Sequence, residues 1–310
     1  MRIVFMGTPD FAVPVFNELI RAGEEVVLAV TQPDRKSGRG KESTPPPVKR
    51  AAAAAGVPVF QPEKIRTDEA YAVLQEARPD LMVVAAFGQI LPQRVLDLPR
   101  LGCVNVHASL LPKYRGAAPI QWAVINGEKE SGITIMQMDA GLDTGDILLQ
   151  EKVELDPEET GESLYEKLSA MGGRLLVKAL PSIEDGTIQR IPQKDEDSTY
   201  AGMLKKEMGR IDFSLPAAQI ERLVRGLNSW PSAYTFHNGR QLKIWRARVL
   251  PGTADAEPGR IVQVTKKSAV VACGTDCLEL VEVQAEGKKR MDISQFLLGN
   301  ALHEGEMLGE

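Results

Sequence analysis

The sequence lacks the features that mark several classes of protein. Its 310 residues contain no apolar run of about 18 residues, so no transmembrane helix is predicted. No apolar leader precedes the first strand-like segment at residues 2–7, which leads us to expect a cytoplasmic protein. The three cysteines, Cys103, Cys273 and Cys277, are an odd number without zinc-finger spacing. We therefore expect reduced thiols and no metal site.

Two common ligand motifs are also missing. The first strand is followed by Gly7-Thr8-Pro9-Asp10-Phe11-Ala12, which does not have the G-x-G-x-x-G spacing of a dinucleotide site. The G-x-S-x-G motif of serine hydrolases does not occur either. If the protein transfers an acyl-type group, the attacking atom must therefore belong to a substrate.

Charge is distributed unevenly around a net value of −5. Residues 33–50 carry six basic and two acidic side chains, and residues 200–250 carry nine basic and three acidic ones. Residues 139–199, between them, carry fifteen acidic and six basic side chains. The two basic regions could face phosphates of a nucleic acid, or they could be ordinary solvated surfaces.

Alternating strand and helix patterns predict an α/β fold for the first part of the chain. Strands are expected at 2–7, 25–31, 57–60, 80–86, 102–107 and 133–138, with helices between most of them. This alternation predicts a Rossmann-like parallel sheet with ligands at the carboxyl ends of its strands. Short alternating segments beyond residue 208 predict a small antiparallel, OB-like barrel. We expect a catalytic domain at 1–190, a linker at 191–207 and a barrel domain at 208–310.

The strand at 102–107 carries the strongest candidates for chemistry. Asn105 and His107 are two residues apart and therefore share one face. A second polar segment, residues 139–146, follows the strand at 133–138 and could lie beside His107 in a parallel sheet. One of its aspartates could favour protonated His107, which with Asn105 would give two donors for a developing oxyanion. The alternative is a buried histidine with a purely structural role.

Two further features leave open whether the protein binds RNA. Residues 32–47 form a long predicted loop without hydrophobic side chains, either a mobile basic arm for a polyanion or a disordered surface loop. In the second part, Trp230, Tyr234 and Trp245 lie among basic residues, a composition that suits RNA stacking or a barrel core.

Residues 105–120, together with residues 139–145, are similar to the signature of the folate-dependent formyltransferases. The resemblance implies that Asn105, His107 and Asp143 form the catalytic set and that 10-formyltetrahydrofolate is the formyl donor. It also implies that three segments hold the folate, and that residues 87–91 and 139–143 hold its pterin largely through backbone groups. The residues concerned are Phe87, Gly88, Gln89, Ile90, Ser109, Leu110, Leu111, Pro112, Asp139, Ala140, Gly141 and Leu142.

Residues 5–12, 32–41 and 230–233 further resemble the branch of that family whose acceptor is initiator methionyl-tRNA. This resemblance implies formylation of the methionine amine, with both domains touching the tRNA. The implied tRNA contacts, with Arg39 foremost, are Arg35, Lys36, Arg39, Lys41, Lys205, Lys206 and Arg246. We expect a monomer that does not bind a membrane. A small-molecule formyltransferase or formyl-folate hydrolase, and a non-catalytic RNA-binding module, remain as alternatives.

Overall fold

The computed structural model describes residues 1–37, 42–252 and 255–309. The chain divides into two compact units. The first contains Met1–Pro119, Glu130–Glu154 and Tyr165–Ala201, and the second contains Ile120–Lys129, Leu155–Leu164 and Gly202–Glu310. The domain boundaries at 190 and 207 stay a prediction. Among the described residues, no helix is both long enough and apolar enough to cross a bilayer.

The elements up to residue 201 follow one another as strands and helices of a layered α/β unit. In chain order they are β1 (Arg2–Gly7), α1 (Ala12–Arg21), β2 (Glu25–Val30), β3 (Arg35–Ser37), β4 (Glu42–Thr44), α2 (Pro47–Ala54), β5 (Val59–Phe60), α3 (Asp68–Ala77), β6 (Leu81–Ala85), α4 (Gln93–Leu96), β7 (Cys103–His107), β8 (Arg115–Gly116), α5 (Pro119–Ile125), β9 (Glu130–Gln137), β10 (Ile147–Glu154), α6 (Gly161–Glu184) and β11 (Tyr200–Ala201).

The local sequence explains why helix α1 forms where it does. Helix α1 buries Ala12, Val15, Phe16 and Leu19, the spacing that places side chains on one helical face. Phe16 meets Phe5 of β1 edge to face, with ring centroids 5.4 Å apart. These contacts fix α1 against the sheet at the place where the sequence pattern predicts it.

The main sheet has the strand order β10-β9-β7-β6-β1-β2-β5. Five neighbouring strands of this sheet, β7, β6, β1, β2 and β5, are mutually parallel. The predicted α/β class is therefore confirmed. Strand β9, however, runs antiparallel to β7, and β10 runs antiparallel to β9. The expectation that β9 is parallel was wrong, because a buried strand has the same apolar run in either direction. Strand β10 was not predicted.

The basic segment at 32–47 has regular structure at both of its flanks. Strands β3 and β4 pair antiparallel, with Arg35 opposite Thr44. The prediction of an irregular loop throughout was therefore wrong for these residues. Backbone pairing between polar residues leaves no hydrophobic alternation from which a strand could be predicted.

The elements beyond residue 201 build an antiparallel sheet backed by two helices. They are α7 (Ala217–Gly226), β12 (Ala233–His237), β13 (Arg240–Leu250), β14 (Ile261–Val264), β15 (Ala269–Ala272), β16 (Cys277–Ala285), β17 (Met291–Asp292) and α8 (Ile293–Gly299). The strand order is β12-β13-β16-β15-β14, and β17 pairs with β16. Alternate residues of these strands, such as Leu242 and Ile244, fill a core with residues of α7.

The C-terminal segment joins the two edges of this sheet. The Ile261 amide of β14 donates to the Glu306 carbonyl at 2.8 Å, and the Leu308 amide donates to the Gly259 carbonyl at 2.8 Å. One residue later, the Gly309 amide donates to the Phe236 carbonyl of β12, also at 2.8 Å. The segment thereby covers both edge strands, as a small barrel requires.

Candidate active site

Strand β7 directs Asn105 and His107 towards one acidic side chain. Asn105 Nδ2 lies 3.4 Å from Asp143 Oδ1. His107 Nδ1 lies 3.7 Å from Asp143 Oδ2, and the imidazole is only 6% exposed. The structure therefore brings together the three residues that the sequence singles out for catalysis.

Asp143 reaches this position by a different route from the one expected. Gln137, the last residue of β9, lies opposite Val104 near the start of β7 rather than beyond His107. The loop between β9 and β10 turns back along the sheet, and Asp143 has a left-handed φ of 53°. Its Oδ2 accepts a 2.8 Å hydrogen bond from the Gly116 amide, which orients the carboxylate.

Both ring nitrogens of His107 face oxygen acceptors. Nε2 lies 2.9 Å from the Tyr114 carbonyl oxygen, and Nδ1 faces the Asp143 carboxylate. A neutral imidazole can donate through only one nitrogen, whereas an imidazolium donates through both. The Nδ1–Asp143 distance is longer than a hydrogen bond.

Cys103, at the start of the same strand, does not supply a nucleophile. Its Sγ faces the carbonyl oxygens of Val95 and Leu96 at 3.8 and 3.7 Å, inside a hydrophobic cluster. Burial raises the pKa of the Cys103 thiol to about 12, so that the thiolate is scarce at neutral pH. The described residues contain no group of three or more side chains suited to hold a metal ion.

The loop after β7 is anchored by a buried threonine on β9. Thr134 Oγ1 donates to the Ser109 carbonyl at 2.7 Å and accepts from the Leu111 amide at 3.1 Å. Ser109 Oγ donates to the Lys113 carbonyl at 2.6 Å. These bonds fix the turn that carries the predicted folate residues Ser109, Leu110, Leu111 and Pro112, and they engage the Ser109 hydroxyl within the loop.

The loop after β9 is shaped by its own polar atoms. Asp139 Oδ1 accepts hydrogen bonds from the Gly141 amide at 3.0 Å and from Thr144 Oγ1 at 2.7 Å. A Cβ on Gly145 would lie 1.8 Å from the Gln137 carbonyl oxygen, so only glycine fits there. Ala140, Gly141 and Leu142 are exposed, which leaves this predicted folate segment accessible.

The predicted folate residues that follow β6 have different surroundings. The Phe87 ring is buried in the core, and the Gln89 side chain bonds to the Ile65 amide and the Pro62 carbonyl. Ile90 is 85% exposed. A ligand in this region would meet backbone groups and the Ile90 side chain. A cavity of about 320 Å³ lies beside this segment; its lining includes Thr8, Gln32, Arg35, Phe87 and Gly88.

The predicted tRNA contacts are spread over both units. Arg35 is exposed and lines the cavity of the first unit. The backbone of Lys36 belongs to β3, while Arg39 and Lys41 lie outside the described residues. Lys205, Lys206 and Arg246 are exposed side chains of the second unit.

An aromatic–basic cluster on the barrel unit includes a residue that the sequence reasoning missed. The Trp245 ring has Lys243 Nζ 5.6 Å and the Arg290 guanidinium 4.8 Å from its centroid. Its indole N–H donates to Gln284 Oε1 at 3.0 Å. Cationic groups at this distance from an indole attract it electrostatically. Arg290 comes from the β16–β17 region, and nothing in the linear sequence connects it with Trp245.

Sequence reasoning also missed the groups that hold the catalytic set in place. The Gly116 amide and the Tyr114 carbonyl belong to the motif already quoted, but backbone atoms leave no signal in a pattern of side chains. Gln193, in the segment predicted as a linker, donates to the backbone carbonyls of Asp143 and Gly145. A lone glutamine in a polar stretch gives no sequence signal of this kind.

Comparisons with known proteins find matches along almost the whole chain. A family model described as formyl transferase matches residues 1–180, and one described as formyl transferase, C-terminal domain, matches residues 203–301. A methionyl-tRNA formyltransferase of Agathobacter rectalis is 53% identical over 305 residues, 98% of each chain. That of Acetivibrio thermocellus is 50% identical over 311 residues, covering both chains completely.

Solved structures share the fold at lower identity. The sugar 3N-formyl transferase WlaRD, solved with dTDP and 5-N-formyl-THF, has a TM-score of 0.67 at 18% identity, covering 93% of this chain and 99% of that one. HypX from Aquifex aeolicus, solved with tetrahydrofolic acid, has a TM-score of 0.64 at 17% identity, covering 96% of this chain and 47% of that one. The two family models and the full-length relatives show that this chain belongs to the formyl transferase family, among its methionyl-tRNA formyltransferases.

Proposed function

We propose that this enzyme transfers the formyl group of 10-formyltetrahydrofolate to the α-amine of methionine on initiator methionyl-tRNA. The family supports the reaction class, and the names of the full-length relatives support the acceptor. The observation that carries the proposal is the contact of Asn105 and His107 with the carboxylate of Asp143. This set suits attack by an amine of the substrate on an acyl carbon, because it offers hydrogen-bond donors and no nucleophile of its own.

Asn105 and His107 would stabilise the charge that develops on the formyl oxygen. The amide of Asn105 carries a second N–H besides the one directed at Asp143. The Nε2–H of His107 is engaged by the Tyr114 carbonyl, so its Nδ1–H is the donor left for the substrate. Donors fixed by the protein before the reaction stabilise an oxyanion without further reorganisation.

Asp143 would hold the imidazole of His107 in place and help to move a proton. Its Oδ2 lies 3.7 Å from His107 Nδ1 and accepts a hydrogen bond from the Gly116 amide. The attacking amine must lose a proton and the leaving folate nitrogen must gain one. Asp143 is 15% exposed, so a water molecule can reach it and pass that proton between the two.

Three loops of the first unit would hold the folate, largely through backbone groups. The proposed contacts lie at Phe87–Ile90, at Ser109–Pro112 and at Asp139–Leu142. The exposed side chains of Ile90 and Leu142, 85% and 54% accessible, offer apolar surface to a flat ring system. The fixed side chains of Ser109 and Gln89 agree with a backbone-dominated site.

Basic residues of both units would contact the tRNA backbone. We assign this role to Arg35, Lys36, Arg39, Lys41, Lys205, Lys206 and Arg246. Phosphate contacts by Lys and Arg give affinity that falls with salt and carries little sequence information.

We further propose that the catalytic domain spans 1–190 and that the barrel domain spans 208–310. We also propose that the enzyme acts as a monomer in the cytoplasm, where aminoacylated tRNA is used.

The test is a product assay with defined substrates. The pure protein is incubated with 10-formyltetrahydrofolate and charged initiator methionyl-tRNA, and N-formylmethionyl-tRNA is measured beside the His107→Ala variant. We expect rapid product from the wild type and almost none from the variant. Folate turnover without formylated tRNA would assign a small-molecule acceptor or water instead. Binding of tRNA without any turnover would support a non-catalytic RNA-binding module.

A further inference from the structure

Gln193 uses both halves of its amide between two segments of the catalytic unit. Its Nε2 donates to the Asp143 carbonyl at 2.9 Å and to the Gly145 carbonyl at 2.7 Å. Its Oε1 accepts from Arg115 Nε at 3.0 Å. No acidic side chain could replace it, because a carboxylate cannot donate to the two carbonyl groups.

The loop that Gln193 holds is otherwise fixed by hydrogen bonds within it and by the Gly116 amide. Asp143 has a left-handed φ of 53°, a conformation that is uncommon for non-glycine residues although aspartate adopts it more readily than most. Residues 139–142, which precede it, are exposed. The two bonds from Gln193 lie on either side of Thr144, so they fix the peptide groups that set the direction of the Asp143 side chain.

Arg115 in turn fixes the orientation of Gln193. The Arg115 side chain is 11% exposed, and its Nη1 also donates to Asp195 Oδ1 at 2.9 Å. Asp195 itself is 86% exposed, so this outer pair is screened by water. Arg115 precedes Gly116, whose amide bonds the Asp143 carboxylate. Strand β8 thus reaches Asp143 twice, directly through Gly116 and indirectly through Arg115 and Gln193.

The segment that carries Gln193 is itself joined to β8. The Arg115 amide donates to the Thr199 carbonyl at 2.9 Å, and the Tyr114 amide donates to Thr199 Oγ1 at 2.8 Å. Strand β11 pairs in parallel with β8 in the next two residues. These bonds hold Gln193 at a fixed distance from the loop, so its contact with Asp143 does not depend on one side chain alone.

We propose that Gln193, oriented by Arg115, is a positioning residue for Asp143 in formyl transfer. The proposal rests on the proposed function, because Asp143 must act in the reaction for its position to matter. Gln193 does not touch the reacting atoms. It acts by keeping the Asp143 carboxylate beside His107, and small displacements of a catalytic group can cost large factors in rate.

A double-mutant cycle tests this role. Gln193→Met removes the polar contacts of the side chain at similar volume. We expect kcat to fall roughly ten-fold, while the KM values for the folate and for methionyl-tRNA stay within about two-fold of wild type. In an Asp143→Asn background the same change should lower kcat by less than about two-fold, because the group it positions is already gone. An equal fractional loss in both backgrounds, or no loss in the wild-type background, would overturn the proposal.

Two further variants guard against misfolding. Gln193→Glu keeps an oxygen towards Arg115 but loses the donors to the loop, so it should fold and still lower kcat. Gln263→Met, at an exposed position on β14, is the matched control and should leave kcat unchanged. Full activity of Gln193→Glu would contradict the proposal even if Gln193→Met proved unstable.

Hydrogen exchange separates failure of this proposal from failure of the proposed function. In Gln193→Met, amides of residues 139–146 should exchange faster than in wild type, whereas amides of β6 should not change. This readout requires no turnover. Unchanged exchange in the loop would refute the positioning role, whichever substrate the enzyme uses.

Discussion

His107 Nδ1 on β7 and Asp143 Oδ2 in the loop after β9 lie 3.7 Å apart, although β7 and β9 run in opposite directions. The distance is too long for a hydrogen bond. Nε2 of His107 lies 2.9 Å from the Tyr114 carbonyl oxygen, so Nδ1 is the ring nitrogen that remains for a substrate. This relationship is the basis of the predictions about catalysis.

Asp143→Asn should lower kcat by about 100-fold, the scale of losing one electrostatic contribution to an oxyanion site. The variant keeps the size of the side chain and one acceptor oxygen for the Gly116 amide, so the loss should lie in the chemical step. Single-turnover rates at saturating concentrations of both substrates check this. A loss of less than about two-fold would show that the charge of Asp143 does not act in the reaction.

Gly145→Ala should impair catalysis without contributing a new side chain to the site. The added methyl group would meet the Gln137 carbonyl oxygen at 1.8 Å, which forces the loop with Asp143 to shift. We expect kcat to fall at least ten-fold, consistent with the cost of a displacement of about 1 Å. Gly299→Ala, where a methyl group meets nothing within 4 Å, is the control. Equal activity of the two variants would show that the added methyl group at Gly145 does not displace Asp143.

Much of the fold could be predicted from the sequence because its signals are local. The apolar face of α1, the Thr67 cap of α3 and the apolar run of β6 each depend on neighbouring residues. The direction of β9 could not be predicted, because a long connection separates it from β7 and a buried strand has no directional pattern. Polar pairing between β3 and β4 has no hydrophobic period either.

The candidate site divides in the same way. Asn105 and His107 are two residues apart on one strand, so their common face follows from strand geometry alone. Asp143 was expected beside His107 on the assumption of parallel strands, whereas the structure reaches that contact through a returning loop. Gln193 is fifty residues from Asp143 and binds it through main-chain atoms. Such contacts depend on tertiary structure and leave no pattern in the sequence.

Arg35→Ala should weaken use of the tRNA and leave the folate donor unaffected. Arg35 is exposed and borders the cavity of the first unit, where it can meet a phosphate without losing any buried contact. We expect a several-fold rise in KM for methionyl-tRNA and a salt dependence of binding that is shallower by about one unit. Arg39→Ala should have the same signature. An equal rise in KM for the folate would assign these residues to the donor site instead.

Asp80 should make stability depend on pH in the acidic range. Its carboxylate accepts 2.8 Å bonds from the Arg2 amide and from Arg100 Nε, and these bonds hold the pKa of Asp80 below its usual range. The stabilisation is present above the unfolded pKa of about 3.9 and is lost as the pH falls through the folded pKa.

Asp80→Asn should therefore lower the free energy of unfolding by about 1 kcal/mol at pH 7. The difference from wild type should shrink as the pH falls below about 4 and vanish when Asp80 is protonated in the folded protein. Urea titrations at a series of pH values measure both effects. A constant difference across that range would show that the charge of Asp80 contributes nothing.

The most direct test of the account is the single-turnover rate of formyl transfer with both substrates bound at saturation. Wild type is compared with Asn105→Ala, His107→Ala and the double variant. The account predicts that each single change slows the chemical step roughly 100- to 1000-fold, and that the double variant falls short of the product of the two losses, because both donors serve one oxyanion. Near-normal rates in both single variants would contradict the assignment of Asn105 and His107 to the reaction.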